Sequence, residues 1–223
     1  MLYIVSTPIG NLKDITLRAL ETLKQVELIA AEDTRHTGHL LKHYNITTPL
    51  TSYFEHNKFQ KARRLLEALK DGRDIALVTD AGTPGISDPG YHLIRLAAEN
   101  GVPLTVVPGP SAVTAALPLS GLPPDRFLFI GFLPVKSAAR QKRLAECKGL
   151  KATVIFYESP HRLVKTLRDM EEVLGDCETV CAREITKMHE EVRRGTPREL
   201  GEYFMRHQPR GEFAVLFHAQ AAG

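Results

Sequence analysis

The sequence predicts an α/β protein of two domains with a cleft between them. Three observations lead to this class. Short apolar segments alternate along the chain with segments of helical spacing. In the first half, each apolar segment is almost unbroken, as in the strands of a parallel sheet covered on both faces. The segment 121–125 (GLPPD) predicts a linker, because its paired prolines end the preceding helix. We therefore expect an N-terminal domain with a parallel sheet over residues 1–120 and a C-terminal domain with a mixed sheet over residues 121–223.

The individual elements follow from the same periodicities. Predicted strands of the N-terminal domain cover residues 2–5, 26–30, 75–79 and 104–107, and predicted helices follow Asp14 and Gly90 and cover residues 37–44 and 63–70. In the C-terminal domain, strands are predicted over residues 127–132, 153–157, 179–182 and 214–217, and helices over residues 137–147, 161–174 and 197–206.

The composition is typical of a globular protein and argues against a membrane-spanning, secreted or disulfide-bonded one. Hydrophobic residues make up 43% of the chain and charged residues 25%, as in ordinary globular proteins. No apolar run approaches the roughly 18 residues of a membrane span, and the N-terminus lacks the basic region of a signal peptide. Three cysteines are too few for a disulfide framework and predict reduced thiols in the cytoplasm. The net charge of +3 comes entirely from residues 111–223, so nucleic acid is a possible partner.

The loop over residues 80–90 (DAGTPGISDPG) is the strongest candidate for a ligand site. Its glycines let the backbone approach a ligand, its prolines restrict the chain, and it follows a strand, where open α/β sheets bind ligands. An ordinary connection between strand and helix is the alternative. Three further loops of similar build favour the ligand site, whereas the common dinucleotide and P-loop fingerprints are absent. These loops are TPIGNL at 7–12, AEDTRHT at 31–37 and VVPGPSA at 106–112.

Together with GFLP, FYESPHR and REITK with the HEE that follows it, these loops resemble the tetrapyrrole methylase family over nearly the whole chain. The resemblance implies two α/β domains with S-adenosyl-L-methionine in the cleft between them, and a homodimer. The blocks are most similar to those of family members that methylate the ribose 2′-hydroxyl of a cytidine in the decoding region of 16S rRNA. The implied partner is therefore 16S rRNA or the small ribosomal subunit. Members with this specificity often continue past the final strand with a helical tail, whereas this chain ends in HAQAAG, so we expect lower RNA affinity.

The resemblance also implies which residues contact the cofactor. For Tyr157 and Arg183 two other interpretations stay open, a core aromatic and a structural pair with Glu184. The implied contacts are Asp80, Ala81, Gly82, Thr83, Ile86, Ser111, Ala112, Tyr157, Glu158, Arg183 and Ala214.

Asp33 and Arg35 are the predicted catalytic residues. Asp33 matches an acidic position of related enzymes and is expected to orient or deprotonate the ribose hydroxyl, while Arg35 holds a phosphate. A local ion pair between the two is the alternative.

Two groups of polar residues have open interpretations. His36, His39 and His43 share one helical face, and a solvated or RNA-facing stripe is favoured over a metal site, since no carboxylate or cysteine completes a ligand set. The basic residues after GFLP form either a solvated helix face or a phosphate-binding face, and a second basic face follows. These two basic groups are Lys136, Arg140, Lys142 and Arg143, and then Arg162, Lys165 and Arg168.

Two other functions stay open at this point. One is methylation of a tetrapyrrole precursor, the substrate class that names the family. The other is a ribosome-associated binding protein without catalysis.

Overall fold

The computed structural model describes residues 1–218 and divides into two α/β units, Met1–Ser111 and the remainder from Ala112. Most of the C-terminal HAQAAG segment therefore lies outside the described residues. The predicted class, two α/β domains, is confirmed. The GLPPD segment follows the first helix of the second unit, and the predicted division at residue 120 stays a prediction. Among residues 1–218, no helix has both the length and the apolar character needed to cross a membrane.

The first unit contains five parallel strands in the order β3-β2-β4-β1-β5. The strands are β1 (Leu2–Val5), β2 (Leu28–Ala31), β3 (Leu50–Ser52), β4 (Ile75–Val78) and β5 (Leu104–Val107). A short 3-10 helix (Leu12–Asp14) precedes four helices, which are α1 (Leu17–Gln25), α2 (Thr34–His43), α3 (Lys58–Lys70) and α4 (Tyr91–Glu99).

The strand order explains where this unit can bind a ligand. The chain moves outward from β1 to β2 and β3, then returns to β4 and β5, so right-handed crossovers place the helices on opposite faces. Leu23 and Leu40 of α1 and α2 pack in one apolar cluster, and Leu65 and Leu93 of α3 and α4 pack in another. The loop after β4 therefore leaves toward one face while those after β1 and β2 leave toward the other. Such a reversal opens a crevice at the carboxyl ends of the strands.

The second unit has a mixed sheet in the order β6-β7-β10-β8-β9, with β6 and β7 parallel and the other pairs antiparallel. Helix α5 packs on β10 and β8, and α6, α7 and α8 supply the core cluster that includes Leu144, Leu163 and Phe204. The elements are α5 (Ala112–Ser120), β6 (Phe127–Phe132), α6 (Ser137–Ala145), β7 (Thr153–Glu158), α7 (Leu163–Leu174), β8 (Thr179–Arg183), β9 (Glu191–Gly195), α8 (Pro197–Arg206) and β10 (Phe213–His218).

Two strands, β3 and β9, have no counterpart among the predicted elements. Strand β3 has only three residues, two of them polar, and β9 (EVRRG) is a charged edge strand, so neither forms an apolar run. Helix α2 begins at Thr34, three residues before the predicted start, because the Asp33 side chain caps it by accepting a hydrogen bond from the Arg35 amide.

Candidate active site

The loops after β1 and β4 are joined by a compact set of hydrogen bonds. The Thr7 amide donates to the Gly82 carbonyl at 2.9 Å, and the Gly82 amide donates back at 3.1 Å. The Thr7 hydroxyl donates to the Thr79 carbonyl at 3.0 Å, and the Ser6 and Thr83 hydroxyls are 2.8 Å apart. Gly82 has φ +88°, a conformation that favours glycine. The predicted cofactor residues Gly82 and Thr83 are therefore held in place by the β1 loop.

The loop after β2 is tied to the loop after β4 by a reciprocal exchange, here called the Glu32–Asp80 brace. Glu32 Oε2 accepts hydrogen bonds from the Thr79 hydroxyl at 2.6 Å and from the Asp80 amide at 3.4 Å. In return, Asp80 Oδ1 accepts from the Asp33 amide at 3.1 Å. The brace thus fixes the backbone of the predicted catalytic Asp33 relative to the predicted cofactor loop. Sequence reasoning did not give Glu32 this role, because its partners lie far along the chain.

Burial and the charges of neighbouring carboxylates raise the pKa values of Asp80, which belongs to the brace, and of Asp88 in the same loop. The pKa of Asp80 is raised, chiefly by burial and further by the charge of Glu32, although the Asp33 amide opposes the shift. Burial, followed by the charge of Glu32, raises the pKa of Asp88 to about 7, against a hydrogen bond from Thr79. Asp88 was not predicted as a site residue. Its place in the same glycine-rich loop as Asp80 is the only signal in the sequence.

Asp33 and Arg35 form the local ion pair that was the alternative interpretation. Arg35 Nη2 lies 2.7 Å from Asp33 Oδ2, and Arg35 Nε donates to Oδ1 at 3.1 Å. Hydrogen bonds from the Arg35 side chain and amide lower the pKa of Asp33 well below its usual range. Asp33 is therefore ionised and a weak base, but it can still accept a hydrogen bond from a hydroxyl. The Arg35 side chain is 88% exposed and available to a phosphate.

The loop after β5 approaches the β1 loop closely. A Cβ added at Gly109 would lie 3.1 Å from the Ser6 Cβ, so a side chain at this position would press on the β1 loop. The Thr83 hydroxyl lies 3.4 Å from the Pro110 carbonyl oxygen, a long hydrogen bond. Ser111 and Ala112 follow at the start of α5, and both are half-buried. The other predicted residues of the β4 loop, Ala81 and Ile86, are exposed.

In the second unit, the predicted residues lie on three neighbouring strands at one end of the sheet. Tyr157 of β7 is paired with Ala214 of β10, and Ala214 is paired in turn with Ala182 of β8. One position along, Phe213 is paired with both Glu158 and Arg183. The structure therefore brings Tyr157, Glu158, Arg183 and Ala214 together. We call the paired positions Tyr157, Ala214 and Ala182 the β7–β10–β8 row.

The Glu158 carboxylate is already used inside the protein. Its side chain has no exposed surface, and Oε1 accepts a hydrogen bond from the Ser159 amide at 2.8 Å. Oε2 accepts from the Thr166 hydroxyl at 2.6 Å, and Arg162 Nε lies 3.3 Å from Oε1. A ligand contact at this position therefore has to come from the backbone, since freeing the carboxylate would leave Arg162 and Thr166 without their partner.

Arg183 is likewise held by neighbouring groups. Its Nε donates to the Arg210 carbonyl at 2.7 Å, and Nη1 lies 3.3 Å from Glu191 Oε2. The alternative pair with Glu184 is not formed, because Glu184 pairs with Lys187 at 2.9 Å.

The loop after Arg183 contains the strongest backbone outliers of this end of the sheet. Glu184 has φ +49° and the β-branched Thr186 has φ +68°. Such conformations cost free energy and cluster at functional sites. A Cβ on Gly211 would overlap the Glu184 side chain, so Gly211 allows Glu184 to occupy this position.

The structure shows where the three histidines of α2 and the basic residues around α6 lie. His36, His39 and His43 are exposed on α2, and the described residues contain no His, Cys, Asp and Glu group arranged for a metal ion. The proposed solvated or phosphate-facing role is wrong for Arg140, which is 4% exposed and pairs with Asp169 at 2.5 Å. The spacing of the basic residues 136, 140, 142 and 143 did not reveal that one of them points inward.

Comparison with known proteins identifies the class. Residues 1–201 match the family described as Tetrapyrrole (Corrin/Porphyrin) Methylases. The chain belongs to this family and is an S-adenosyl-L-methionine-dependent methyltransferase.

Three relatives of similar sequence carry the name Ribosomal RNA small subunit methyltransferase I. The protein from Synechocystis sp. is 50% identical over 217 residues, which are 97% of this chain and 78% of the relative. The protein from Thermotoga maritima is 47% identical, with 96% of both chains covered. A third, from Escherichia coli O157:H7, is 54% identical over 192 residues, 86% of this chain and 67% of the relative.

Solved structures of lower identity share the fold. Cobalt precorrin-4 methyltransferase has a TM-score of 0.71 at 19% identity, with 97% of this chain and 94% of the other covered. Diphthine synthase has a TM-score of 0.72 at 14% identity, with 100% and 90% covered.

Proposed function

We propose that this methyltransferase transfers a methyl group to the ribose 2′-hydroxyl of a cytidine in the decoding region of 16S rRNA. The observation that carries the proposal is the identity of about half of all residues, over nearly the whole chain, to proteins named Ribosomal RNA small subunit methyltransferase I. The position of the methyl group rests on the motif resemblance. The partner would be 16S rRNA or the small ribosomal subunit, the location the cytoplasm, and the active form a homodimer.

The loops of the first unit fit the cofactor chemically. The backbone of Asp80 to Thr83 would lie along it, and Ile86, 40% exposed, would offer an apolar contact. The amides at Ser111 and Ala112, at the start of α5, would hold its carboxylate. When bound, S-adenosyl-L-methionine supplies an activated methyl group on a positively charged sulfur. The carboxylates of Glu32 and Asp80 favour a cation at this edge of the sheet.

The second unit would contribute the β7–β10–β8 row. Tyr157 is half-buried and Ala214 is buried, so the row offers one aromatic face beside a small residue. Arg183 would act with its neighbours Glu191 and Arg210 rather than as a free cation.

Asp33 would orient the ribose hydroxyl by accepting its hydrogen bond. Because its pKa is lowered, Asp33 stays ionised and holds this geometry, rather than taking the proton early. Arg35 would contact the adjoining phosphate. Such positioning can contribute roughly 7–11 kcal/mol to a reaction between two bound partners. The Glu32–Asp80 brace would maintain the distance between Asp33 and the cofactor loop.

The direct test uses labelled S-adenosyl-L-methionine and small ribosomal subunits from a strain that lacks the activity. We expect label in 16S rRNA. Label in a tetrapyrrole precursor and none in rRNA would instead favour the precursor methylase, and cofactor binding without any transfer would favour the non-catalytic binding protein.

A further inference from the structure

Two arginines hold the loop that follows β6. Arg140 Nη1 donates to the Val135 carbonyl at 3.1 Å and to the Pro134 carbonyl at 3.4 Å. Arg162 Nη2 donates to the Leu133 carbonyl at 2.6 Å and also to Pro134, at 3.1 Å. Three consecutive carbonyl groups are therefore bound by guanidinium donors. We call residues 132–135, which are the last residue of β6 and the three bound residues after it, the clamped loop.

Each arginine is itself anchored on a buried carboxylate. Arg140 pairs with Asp169, and both side chains are almost fully buried. The Asp169 carboxylate also accepts from Ser137 at 2.8 Å, and Arg162 lies beside the fully buried Glu158. Buried ion pairs of this kind contribute little net stability, so a positioning role is the better explanation for them. The clamped loop is ordered in advance, and a ligand that binds there loses little free energy in ordering it.

The clamped loop presents apolar groups to solvent. Phe132 is 59% exposed and Val135 is 76% exposed. The Phe132 ring packs edge-on against Tyr157 with centroids 5.6 Å apart, and Tyr157 packs in the same way against Phe129 at 4.9 Å. An exposed phenyl ring supported from behind by a second ring provides a fixed face for stacking.

The register places Phe132 next to the predicted cofactor residues of the second unit. Phe132 of β6 is paired with Tyr157, and Tyr157 is paired with Ala214. Phe132 is thus one strand from Tyr157 and two strands from Ala214, about 10 Å at the usual spacing. A group stacked on Phe132 would therefore lie beside the predicted cofactor residues of the second unit.

The charge around the clamped loop indicates which partner would cover it. Lys136 directly follows the loop, and Lys142 lies on α6; both are exposed, and neither forms an ion pair with any residue of the part that the structure describes. Arg143, by contrast, pairs with Glu146. An exposed aromatic ring followed four residues later by an unpaired cation, Lys136, is complementary to an unpaired base and its phosphate.

We propose that Phe132 is a stacking platform for an unpaired base of the RNA substrate, with Lys136 at the adjoining phosphate. The proposal rests on the proposed function, because it requires an RNA substrate. It adds a surface and a mode of recognition: the substrate has to present a single-stranded segment with at least one base out of its helix.

The test compares Phe132→Ala with Phe127→Ala. Phe127 lies at the other end of β6, is 47% exposed and carries the same side chain, so it is the matched control. Dissociation constants for the small subunit and for S-adenosyl-L-methionine would be measured for both. We expect Phe132→Ala to weaken RNA binding by roughly five- to 150-fold without changing cofactor binding, as stacking energies predict. Phe132→Tyr should restore affinity, and Phe132→Leu should not.

A separate variant tests the phosphate contact. Lys136→Gln should reduce the slope of log affinity against log salt by about 0.7, the value for one phosphate of a single strand.

Three results would contradict the platform. Equal RNA affinity for Phe132→Ala and Phe127→Ala would remove Phe132 from RNA binding. If Phe132→Ala loses a dimer that light scattering detects in the wild-type protein, while its RNA affinity is unchanged, the surface around Phe132 would instead bind a second copy of the chain. Failure of the wild-type protein to bind or methylate rRNA would contradict both the proposed function and the stacking platform. This result can be told apart from the other two because it is obtained with the wild-type protein, before any substitution is made.

Discussion

The two units hold their predicted site residues in different ways. In the first unit, Asp33, Asp80 and Thr83 lie half-buried on loops at the carboxyl edge of a parallel sheet, and their partners belong to the same group of loops. In the second unit, the carboxylate of Glu158 and the guanidinium of Arg183 already bind internal partners. We therefore propose that the charged residues of the predicted motifs act in the chemistry in the first unit, whereas in the second unit they hold the structure. Substitutions should separate the two cases: loss of activity with little loss of stability in the first unit, and loss of stability in the second.

The largest effect is expected at Asp33. Asp33→Asn keeps the shape of the side chain but removes the charge that we propose orients the ribose hydroxyl, so turnover should fall by roughly 10²–10⁴-fold. Folding should change little, because the pair with Arg35 is a surface pair. Single-turnover methyl transfer and thermal unfolding would be measured together, and normal turnover would remove Asp33 from the mechanism.

In the second unit, the corresponding substitution is at Asp169, where we expect the effect on stability rather than on activity. Asp169→Ala leaves Arg140 buried without its carboxylate and should lower the free energy of unfolding by about 3–5 kcal/mol. Glu171→Ala is the matched control on the same helix, since its pair with Arg198 lies at the surface with both side chains partly exposed and should contribute less than about 1 kcal/mol. Chemical denaturation provides both values, and equal losses would show that burial of the pair has no special role.

The Glu32–Asp80 brace should produce an intermediate effect. Glu32→Gln retains an oxygen for one donor but weakens the charge-assisted bonds to Thr79 and Asp80. A displacement of the Asp33 loop by about 1 Å would lower turnover by roughly 10²-fold. We expect most of the change in kcat for RNA rather than in cofactor affinity. If Glu32→Gln raised the KM values for RNA and for S-adenosyl-L-methionine equally and left kcat unchanged, a positioning role for Glu32 would be contradicted.

The smallest effect is the pH dependence of stability caused by Asp88. Its pKa is about 7 in the folded protein and about 4 in the unfolded chain. Between these values the folded state holds a proton that the unfolded state has lost, so stability should fall as pH rises from about 4 to about 7. In Asp88→Asn this part of the decline should disappear. Melting temperatures across that range test the assignment, and identical slopes for the two proteins would show that Asp88 does not titrate there.

The fold was largely accessible from the sequence, since strands such as β4 are unbroken apolar runs and the loops carry glycine and proline at their turns. The placement of Asp80 and Thr83 at a strand end followed in the same way. The hydrogen-bond and ion-pair partners of the charged side chains could not be predicted from the sequence. Whether Glu32 meets Thr79, or whether Arg140 points inward to Asp169, depends on how distant elements pack, and residue type and spacing do not specify it. Strand β9 was missed because its charged residues break the apolar pattern.

The most direct test of the account is nucleoside mapping of 16S rRNA after transfer by the wild-type protein. Small subunits from a strain that lacks the activity would be methylated, digested and examined by mass spectrometry. We expect one new 2′-O-methylcytidine in the decoding region, formed much more slowly by Asp33→Asn. A methyl group on a base, or on a ribose elsewhere in the rRNA, would contradict the proposed specificity.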